Sequence, residues 1–181
     1  GLYDSNLKYA DSLVGILYEK LKSNKLLRNT MIIITADHGE FLGDHGLITH
    51  GESPWDSVIK VPFILFYPKL TNQETRVKEL TQSIDIMPTI LDICVIKIPQ
   101  GKSLDGNSLL GYLNKNASSR IAVFGDDYIR TKKYKYIINK DMLYDLERDP
   151  EEKNNISYNE PAIKKELMDM YEKAMKPYRE R

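Results

Sequence analysis

All three histidines of the 181-residue chain lie within one short segment, at positions 38, 45 and 50. Asp37 stands directly before His38, and the pair follows an apolar run at residues 31–35. A carboxylate beside an imidazole offers one oxygen and one nitrogen donor, which together suit a divalent cation. Residues 36–52 are therefore a candidate metal-binding loop, with Asp37 and His38 as its candidate ligands.

The same loop also has a purely structural interpretation. Acidic and histidine side chains in loops often hydrogen-bond only the loop's own backbone, and glycines at 39, 43, 46 and 51 would let that backbone turn sharply. The residue types alone leave both interpretations open. For Asp44 and His45 we expect the structural role, in which they brace the loop or orient neighbouring ligands. Glu40 either does the same or begins a short helix.

Two apolar segments flank the loop and must position it. Residues 31–35 are a mostly β-branched run, and residues 61–67 form a second apolar run. Runs without polar alternation are typical of strands covered on both faces, as in a parallel sheet, and ligands usually bind at the ends of such strands. A helix is predicted before the first strand, because apolar residues recur at helical spacing at positions 7, 10, 14, 17 and 21.

The rest of the chain changes character part-way. Residues 83–91 are typical of a helix start, with Pro88 in the first turn. Residues 121–146 alternate aromatic and β-branched residues with charged ones, which indicates a small antiparallel sheet with one wet face, and residues 160–178 have a helical pattern. The prediction is an α/β fold with two domains. Residues 1–115 hold part of a mainly parallel sheet flanked by helices, and residues 116–181 hold the antiparallel sheet and closing helix.

The composition is that of a globular protein without net charge. The chain has 26 basic and 26 acidic side chains. This balance argues against nucleic acid or an anionic membrane as partner and favours a small ligand. The apolar runs are far shorter than the roughly 20 residues that a membrane-spanning helix needs. The first residues lack a signal-peptide pattern and begin an amphipathic helix, and we assign no compartment.

The histidine loop belongs to a longer series of motifs. Residues 35–40 read Thr-Ala-Asp-His-Gly-Glu, residues 42–46 read Leu-Gly-Asp-His-Gly, and His50-Gly51 and Lys60-Val61-Pro62 follow. This block resembles the C-terminal metal-binding block of the sulfatase family, within the alkaline phosphatase superfamily. Further segments resemble later parts of the family in the same order, at residues 85–92, 101–104, 130–136 and 143–155. The resemblance covers nearly the whole chain and implies an alkaline-phosphatase-like fold.

The resemblance implies roles for three residues. Asp37 and His38 stand where the family has ligands of its active-site divalent cation, usually calcium. Because imidazole is a less natural ligand for calcium, manganese or zinc is the alternative ion. His50 stands where relatives have a Lys or His that contacts the sulfate group or protonates the leaving oxygen, so we expect a catalytic and substrate-binding role. Its structural alternative is a hydrogen bond that stabilises the loop.

The nucleophile of the family has no counterpart in this sequence. Sulfatases use a formylglycine made from a Cys or Ser in a Cys/Ser-x-Pro-Ser-Arg motif, and neither Cys94 nor Ser53 begins one. Cys94 lies in an apolar run and is expected to be buried and unreactive. The nucleophile and further acidic ligands are therefore expected from an N-terminal part outside these residues, and the 181 residues alone are predicted to be inactive.

The implied function is hydrolysis of small sulfate monoesters by a longer protein with this chain as its C-terminal portion. The Asp-His pair also resembles phosphonate monoester and phosphodiester hydrolases of the superfamily, which are the alternative enzyme class. A third possibility is a non-catalytic domain that binds a sulfated or phosphorylated partner. Lys60 and Arg130 could reach an anion, although such basic residues are usually solvated. A truncated sheet would expose an edge, so we also expect possible self-association.

Overall fold

The computed structural model describes residues 1–51, 53–70, 74–113 and 118–180. The chain forms two compact units, one of residues 1–38 and 61–75 and the other of residues 39–60 and 76–181. The predicted domain boundary at residues 115 and 116 lies outside the described residues, as does Glu52 at the end of the predicted loop. The division into domains 1–115 and 116–181 stays a prediction.

The first unit contains a long helix and a two-stranded sheet. Helix α1 spans Leu2–Ser23, as the apolar spacing predicts, with Asp4 in its first turn and Lys20 and Lys22 in its last. These charges are favourable at those ends of a helix dipole. Strand β1 (Ile32–Thr35) pairs with strand β4 (Phe63–Phe66). Tyr18 of α1 packs edge-on against Phe66, with ring centroids 6.0 Å apart, so the helix contacts the strand pair.

The direction of these strands differs from the expectation. The ladder of β1 and β4 is antiparallel, as is every strand ladder among the described residues. An unbroken apolar run indicates that both faces of a strand are covered, and either strand direction allows this. The pattern in the sequence therefore predicted the two strands but not their relative direction.

The histidine segment opens the second unit as a short hairpin. Strand β2 (Phe41–Leu42) pairs antiparallel with strand β3 (Ile48–Thr49), and a 3₁₀ turn at Asp44–Gly46 joins them. Helix α2 (Asp56–Ile59) follows, with Trp55 as its N-cap residue. Phe41 is fully buried and packs edge-on against Trp55 at 5.8 Å, which holds the hairpin against the start of α2.

A buried carboxylate organises the middle of the second unit. Helix α3 (Ile86–Ile93) follows a 3₁₀ turn at Ser83–Asp85, and Pro88 lies in its first turn as predicted. Asp85 is 1% exposed and accepts two hydrogen bonds from Arg120, at 2.9 and 2.7 Å. Helix α4 spans Leu110–Leu113. The Asp85–Arg120 pair ties α3 to the segment that leads into the next sheet.

Four antiparallel strands and a long helix complete the second unit. The strands are β5 (Ala122–Phe124), β6 (Tyr128–Thr131), β7 (Tyr134–Ile137) and β8 (Met142–Asp145), in that spatial order. Helix α5 spans Pro161–Arg179. The predicted small antiparallel sheet with a C-terminal helix is confirmed. Across the part of the chain that the structure describes, no helix combines the length and apolar character needed to cross a membrane.

Both faces of this sheet are covered, whereas the sequence pattern predicts one wet face. One face packs on α5 in a core that includes Ile129 and Leu167. The other face contributes Ile137 to a cluster with Phe41. Lys135, a charged residue of β7, has no exposed surface. The expectation of a wet face is wrong because ion pairs with neighbouring segments bury this charge.

Cys94 is exposed, which corrects the expectation of a buried thiol. Helix α3 ends at Ile93, and Val95 just beyond it takes a positive φ of 56°. Val95 and Ile96 are themselves exposed. The apolar run crosses a helix end rather than continuing along one buried face, and this leaves the thiol at the surface.

Candidate metal and substrate site

Asp37 and His38 lie just beyond the end of β1 in the first unit. Oδ1 of Asp37 accepts the backbone N–H of His38 at 3.0 Å, and Oδ2 lies 3.7 Å from Nε2 of His38. Both side chains are exposed, with 88% of Asp37 and 41% of His38 accessible. Donor atoms that share one cation at about 2.0–2.4 Å lie about 3–4 Å from each other. The oxygen and nitrogen donors of this pair therefore fit one shared divalent ion.

Glu40 and His50 are brought together by the hairpin of the second unit. Phe41 lies opposite Thr49 in the β2–β3 ladder, so the next residues outward, Glu40 and His50, also face each other. Nδ1 of His50 lies 2.8 Å from Oε2 of Glu40 and 3.3 Å from Oε1. An ionised carboxylate only accepts hydrogen bonds, so Nδ1 of His50 donates to Glu40 and carries a proton.

The partnership of Glu40 with His50 is the part of the site that sequence reasoning missed. The hydrogen bond considered as the structural alternative for His50 is present and is made through Nδ1. A hydrogen bond through Nδ1 does not by itself exclude a role of the imidazole towards substrate. A prediction of the hairpin from the sequence would also have predicted the contact between Glu40 and His50. Apolar residues flank a Gly-Asp-His-Gly turn at 43–46, and the resulting ladder places residues 40 and 50 opposite each other.

The backbone of the hairpin is strained directly before His50. Thr49 takes φ of 83°, a left-handed conformation that is unfavourable for a β-branched residue. Such positions cost about 1–3 kcal/mol each and cluster at functional sites, where the surrounding structure maintains them. Thr49 therefore sets the direction in which the chain presents His50.

Asp44 and His45 brace the loop, as expected for them. Oδ2 of Asp44 accepts the backbone N–H of Leu42 at 3.3 Å. The ring of His45 stacks on Trp55 with centroids 3.9 Å apart and an interplanar angle of 8°. These contacts hold the turn of the hairpin against the residue that begins α2.

Gly39 joins the start of the hairpin to α2 by a close backbone contact. Its N–H donates to the carbonyl oxygen of Val58 at 2.6 Å. A Cβ atom on Gly39 would overlap the carbonyl oxygen of Ser57. Only glycine therefore permits this approach, and the position of α2 fixes the peptide at residue 39.

Helix α2 is attached to the four-stranded sheet by buried charged residues. Asp56 accepts hydrogen bonds from Arg130 at 3.0 and 2.8 Å and from Lys135 at 3.0 Å. Nζ of Lys135 also lies 2.7 Å from Oε1 of Glu152, and Oε2 of Glu152 accepts the backbone N–H of Asp56 at 2.5 Å. Arg130 is therefore committed to this network rather than solvated. Lys60, the other basic residue considered for anion binding, is exposed.

The pKa values within this network move in opposite directions. Burial alone would raise the pKa of Asp56, but the hydrogen bond from Arg130 and the charges of Lys135 and Arg130 lower it to about 2. Burial raises the pKa of Glu152, and the charge of Lys135 opposes that rise only in part. Asp56 is thus the carboxylate on which the two cations converge.

The order of these segments is that of a known family. A family model described as Sulfatase matches residues 1–95, which include β1, the hairpin and α3. The chain belongs to the sulfatase family.

Proteins similar to this sulfatase chain carry the names of different enzymes. It is 32% identical over 174 residues to an arylsulfatase of Clostridium perfringens, covering 87% of this chain and 36% of that protein. The fold resembles a protein solved with its substrate D-glucosamine-2-N,6-O-disulfate, with a TM-score of 0.73 at 28% identity, covering 94% and 39% of the two chains. It also resembles the phosphonate monoester hydrolase of Agrobacterium radiobacter, with a TM-score of 0.76 at 26% identity, covering 88% and 38%.

The likeness to these structures confirms the sulfatase-like α/β fold. The sulfatase chain spans just over a third of the length of four curated relatives that it matches. The relatives that share its sequence are named as sulfatases and so belong to the sulfuric ester hydrolases.

Proposed function

We propose that this chain is the C-terminal, metal-binding part of a sulfatase that hydrolyses small sulfate monoesters. The observation that carries the proposal is the Asp37–His38 pair, whose donor atoms lie 3.7 Å apart at the end of a strand in a sulfatase-family segment. Their exposure makes the pair accessible to an ion and to a substrate. Both residues stand where the resemblance predicts ligands.

Asp37 and His38 would hold a divalent cation. When bound, the ion polarises the ester and stabilises the charge that develops during hydrolysis. Asp37 supplies a hard oxygen donor that suits calcium, the ion the family resemblance implies. His38 supplies an imidazole donor that suits manganese or zinc, and those ions are the alternatives.

His50 is proposed to contact the sulfate group and to protonate the leaving oxygen. As an imidazolium, the ring holds Glu40 through Nδ1–H and can donate the proton on Nε2 to the leaving oxygen of the ester. The carboxylate of Glu40, 2.8 Å away, accepts this hydrogen bond and fixes the orientation of the ring. After the transfer the ring is neutral and Nδ1–H still donates to Glu40.

The nucleophile is proposed to be a formylglycine in a part of the protein outside these 181 residues. No Cys/Ser-x-Pro-Ser-Arg motif occurs in the sequence. We therefore expect that the 181 residues alone do not hydrolyse an aryl sulfate. Self-association of the isolated chain through a sheet edge also stays a prediction, which sedimentation at increasing concentration tests.

Hydrolysis of phosphonate monoesters or phosphodiesters is the second candidate function. Two observations favour it, the TM-score of 0.76 with the Agrobacterium hydrolase and the imidazole donor of His38 beside Asp37. The complete protein, loaded in turn with calcium, manganese and zinc, should be assayed on para-nitrophenyl sulfate and para-nitrophenyl phenylphosphonate. A higher kcat/KM on the sulfate supports the sulfatase proposal, and a higher value on the phosphonate supports the alternative. Metal-dependent binding of sulfate esters without turnover would indicate a non-catalytic anion-binding domain.

A further inference from the structure

The peptide at Gly39 links two residues of the proposed site and also contacts α2. It joins His38, a proposed metal ligand, to Glu40, the partner of His50. Its N–H contact with Val58 and its closeness to Ser57 bind it to the backbone of α2. A displacement of α2 would therefore displace the peptide that joins these two residues.

Buried charges hold α2 on the antiparallel sheet, beside the apolar packing of Val58 against a cluster that includes Ile137. Asp56 in the first turn of α2 reaches Arg130 on β6 and Lys135 on β7. Lys135 is fully buried and Glu152 is 2% exposed, so the contacts are largely shielded from water. An apolar contact would allow α2 to slide, whereas hydrogen bonds to fixed charges set its position and direction.

A purely stabilising role is a poor explanation for this network. Burying charges costs desolvation free energy, and replacing a buried ion pair by apolar residues of similar volume is often neutral or favourable for stability. The network connects three elements, and one of them is α2, whose Val58 carbonyl accepts the N–H of Gly39. The network therefore sets where α2 lies, in addition to any contribution that it makes to stability.

We infer that Lys135 is a positioning residue for the proposed site: through Asp56 and α2, it fixes the peptide at Gly39 between His38 and Glu40. The inference rests on the proposed function, because it matters for catalysis only if His38 and Glu40 act there. Lys135 itself touches no substrate. Its contribution is the orientation of the residues that do.

The same unit offers a matched control. Asp85 and Arg120 form another buried ion pair, but it attaches α3, and among the described residues its hydrogen bonds go to residues 82 and 107 rather than to α2 or Gly39. The double variants Asp56→Asn/Lys135→Met and Asp85→Asn/Arg120→Met each change one aspartate to asparagine and one base to methionine. Each leaves the net charge of the protein unchanged, so a difference between them reports the location of the lost pair.

The test uses the complete protein and two readouts besides activity. The first is hydrogen exchange of the Gly39 amide, and the second is affinity for Mn²⁺ by titration calorimetry. The two double variants are compared at temperatures where they have equal free energies of unfolding. We expect Gly39 to exchange about tenfold faster in Asp56→Asn/Lys135→Met than in the control. We expect its Mn²⁺ affinity to fall about tenfold below that of the control.

The possible outcomes separate this inference from the proposed function. Equal Gly39 exchange in the two double variants overturns the positioning role of Lys135, even if the wild-type protein binds Mn²⁺ and hydrolyses sulfate esters. A wild-type protein that binds no divalent cation overturns the proposed function, while the Gly39 exchange still decides whether Lys135 fixes this peptide. If Asp56→Asn/Lys135→Met does not fold, the single variant Asp56→Asn takes its place against Asp85→Asn.

Discussion

Oε2 of Glu40 lies 2.8 Å from Nδ1 of His50, across the first pair beyond the β2–β3 ladder. The contact joins a carboxylate to an imidazole that are ten residues apart in the sequence. It fixes which ring nitrogen donates to Glu40 and thereby the orientation of the ring. The role proposed for His50 therefore depends on Glu40 as well.

Glu40→Gln should slow sulfate-ester hydrolysis by the complete protein. Glutamine can still accept the Nδ1–H hydrogen bond, but a neutral amide accepts it less strongly than a carboxylate and orients the ring less firmly, so we expect kcat to fall about 10- to 100-fold. Steady-state kinetics on an aryl sulfate measures this, with Glu147→Gln as the control because Glu147 is largely exposed and lies outside the site. Equal kcat values for the two variants would show that the carboxylate of Glu40 has no part in turnover.

Asp37→Asn/His38→Gln should abolish most of the metal affinity while the fold is kept. The two side chains are exposed, so their loss removes ion ligands without opening a cavity. The neighbouring Asp44→Asn/His45→Gln is a control of the same composition, and it should lower the Tm instead because His45 stacks on Trp55. Calorimetric titration with Ca²⁺ and Mn²⁺, and thermal unfolding in chelator, measure the two effects. The assignment fails if the control loses as much metal affinity as the variant.

Gly39→Ala should destabilise the second unit and weaken metal binding together. The new Cβ would overlap the carbonyl of Ser57, and forced repacking of this kind typically costs about 1–3 kcal/mol. Gly15→Ala is the control, because a Cβ there meets no atom within 4 Å in the middle of α1. That control should gain about 0.5–1 kcal/mol from helix propensity. Denaturant unfolding gives both values, and a neutral Gly39→Ala would contradict the close contact.

Thr49→Gly should stabilise the folded protein despite the greater flexibility of glycine. Glycine adopts the φ of 83° without the penalty that a β-branched side chain carries, and we expect a gain of about 1 kcal/mol. Thr35→Gly in the regular strand β1 should have the opposite sign, because glycine weakens an ordinary strand. Thermal unfolding in chelator compares the two, and a loss of stability in both would mean that Thr49 is not strained.

Asp56 should make stability depend on pH in the acidic range. Its pKa in the folded protein is lowered from an ordinary 3.8 to about 2, so its contribution is fully present above pH 3.8 and is lost as the pH falls towards 2. The shift corresponds to about 2 kcal/mol. The raised pKa of Glu152 acts in the opposite sense, so the measurement is the difference between wild type and Asp56→Asn. That difference should shrink between pH 4 and pH 2, and a constant difference would exclude the lowered pKa.

The sequence predicted the elements of this fold better than their relationships. The spacing of apolar residues predicted α1 and α5, and the alternation at 121–146 predicted the antiparallel sheet. It did not predict the antiparallel direction of β1 and β4, because coverage of both faces is compatible with either direction. The sequence also led to the wrong prediction that Cys94 is buried, because a run of apolar residues does not show where a helix ends.

In the candidate site, too, the sequence predicted neighbouring residues but not the contacts between distant ones. The adjacency of Asp37 and His38 is visible in the sequence, so their pairing could be predicted directly. Glu40 and His50 meet only because of the register of a ladder with two pairs, which short strands encode weakly. The ion pairs of Lys135 join positions 56, 135 and 152, and no local pattern records a contact over such a separation.

Complete burial of Lys135 also gives the protein a built-in chemical reporter. An amine-selective reagent reacts with exposed lysines in the folded state, and Lys133, two residues earlier, is 42% exposed. The amine of Lys135 has no accessible surface and can be labelled only in molecules where the contact between α2 and the sheet has opened. The ratio of labelling at these two lysines, read by peptide mass spectrometry, therefore counts the openings of this contact in a mixture, without purification or a substrate.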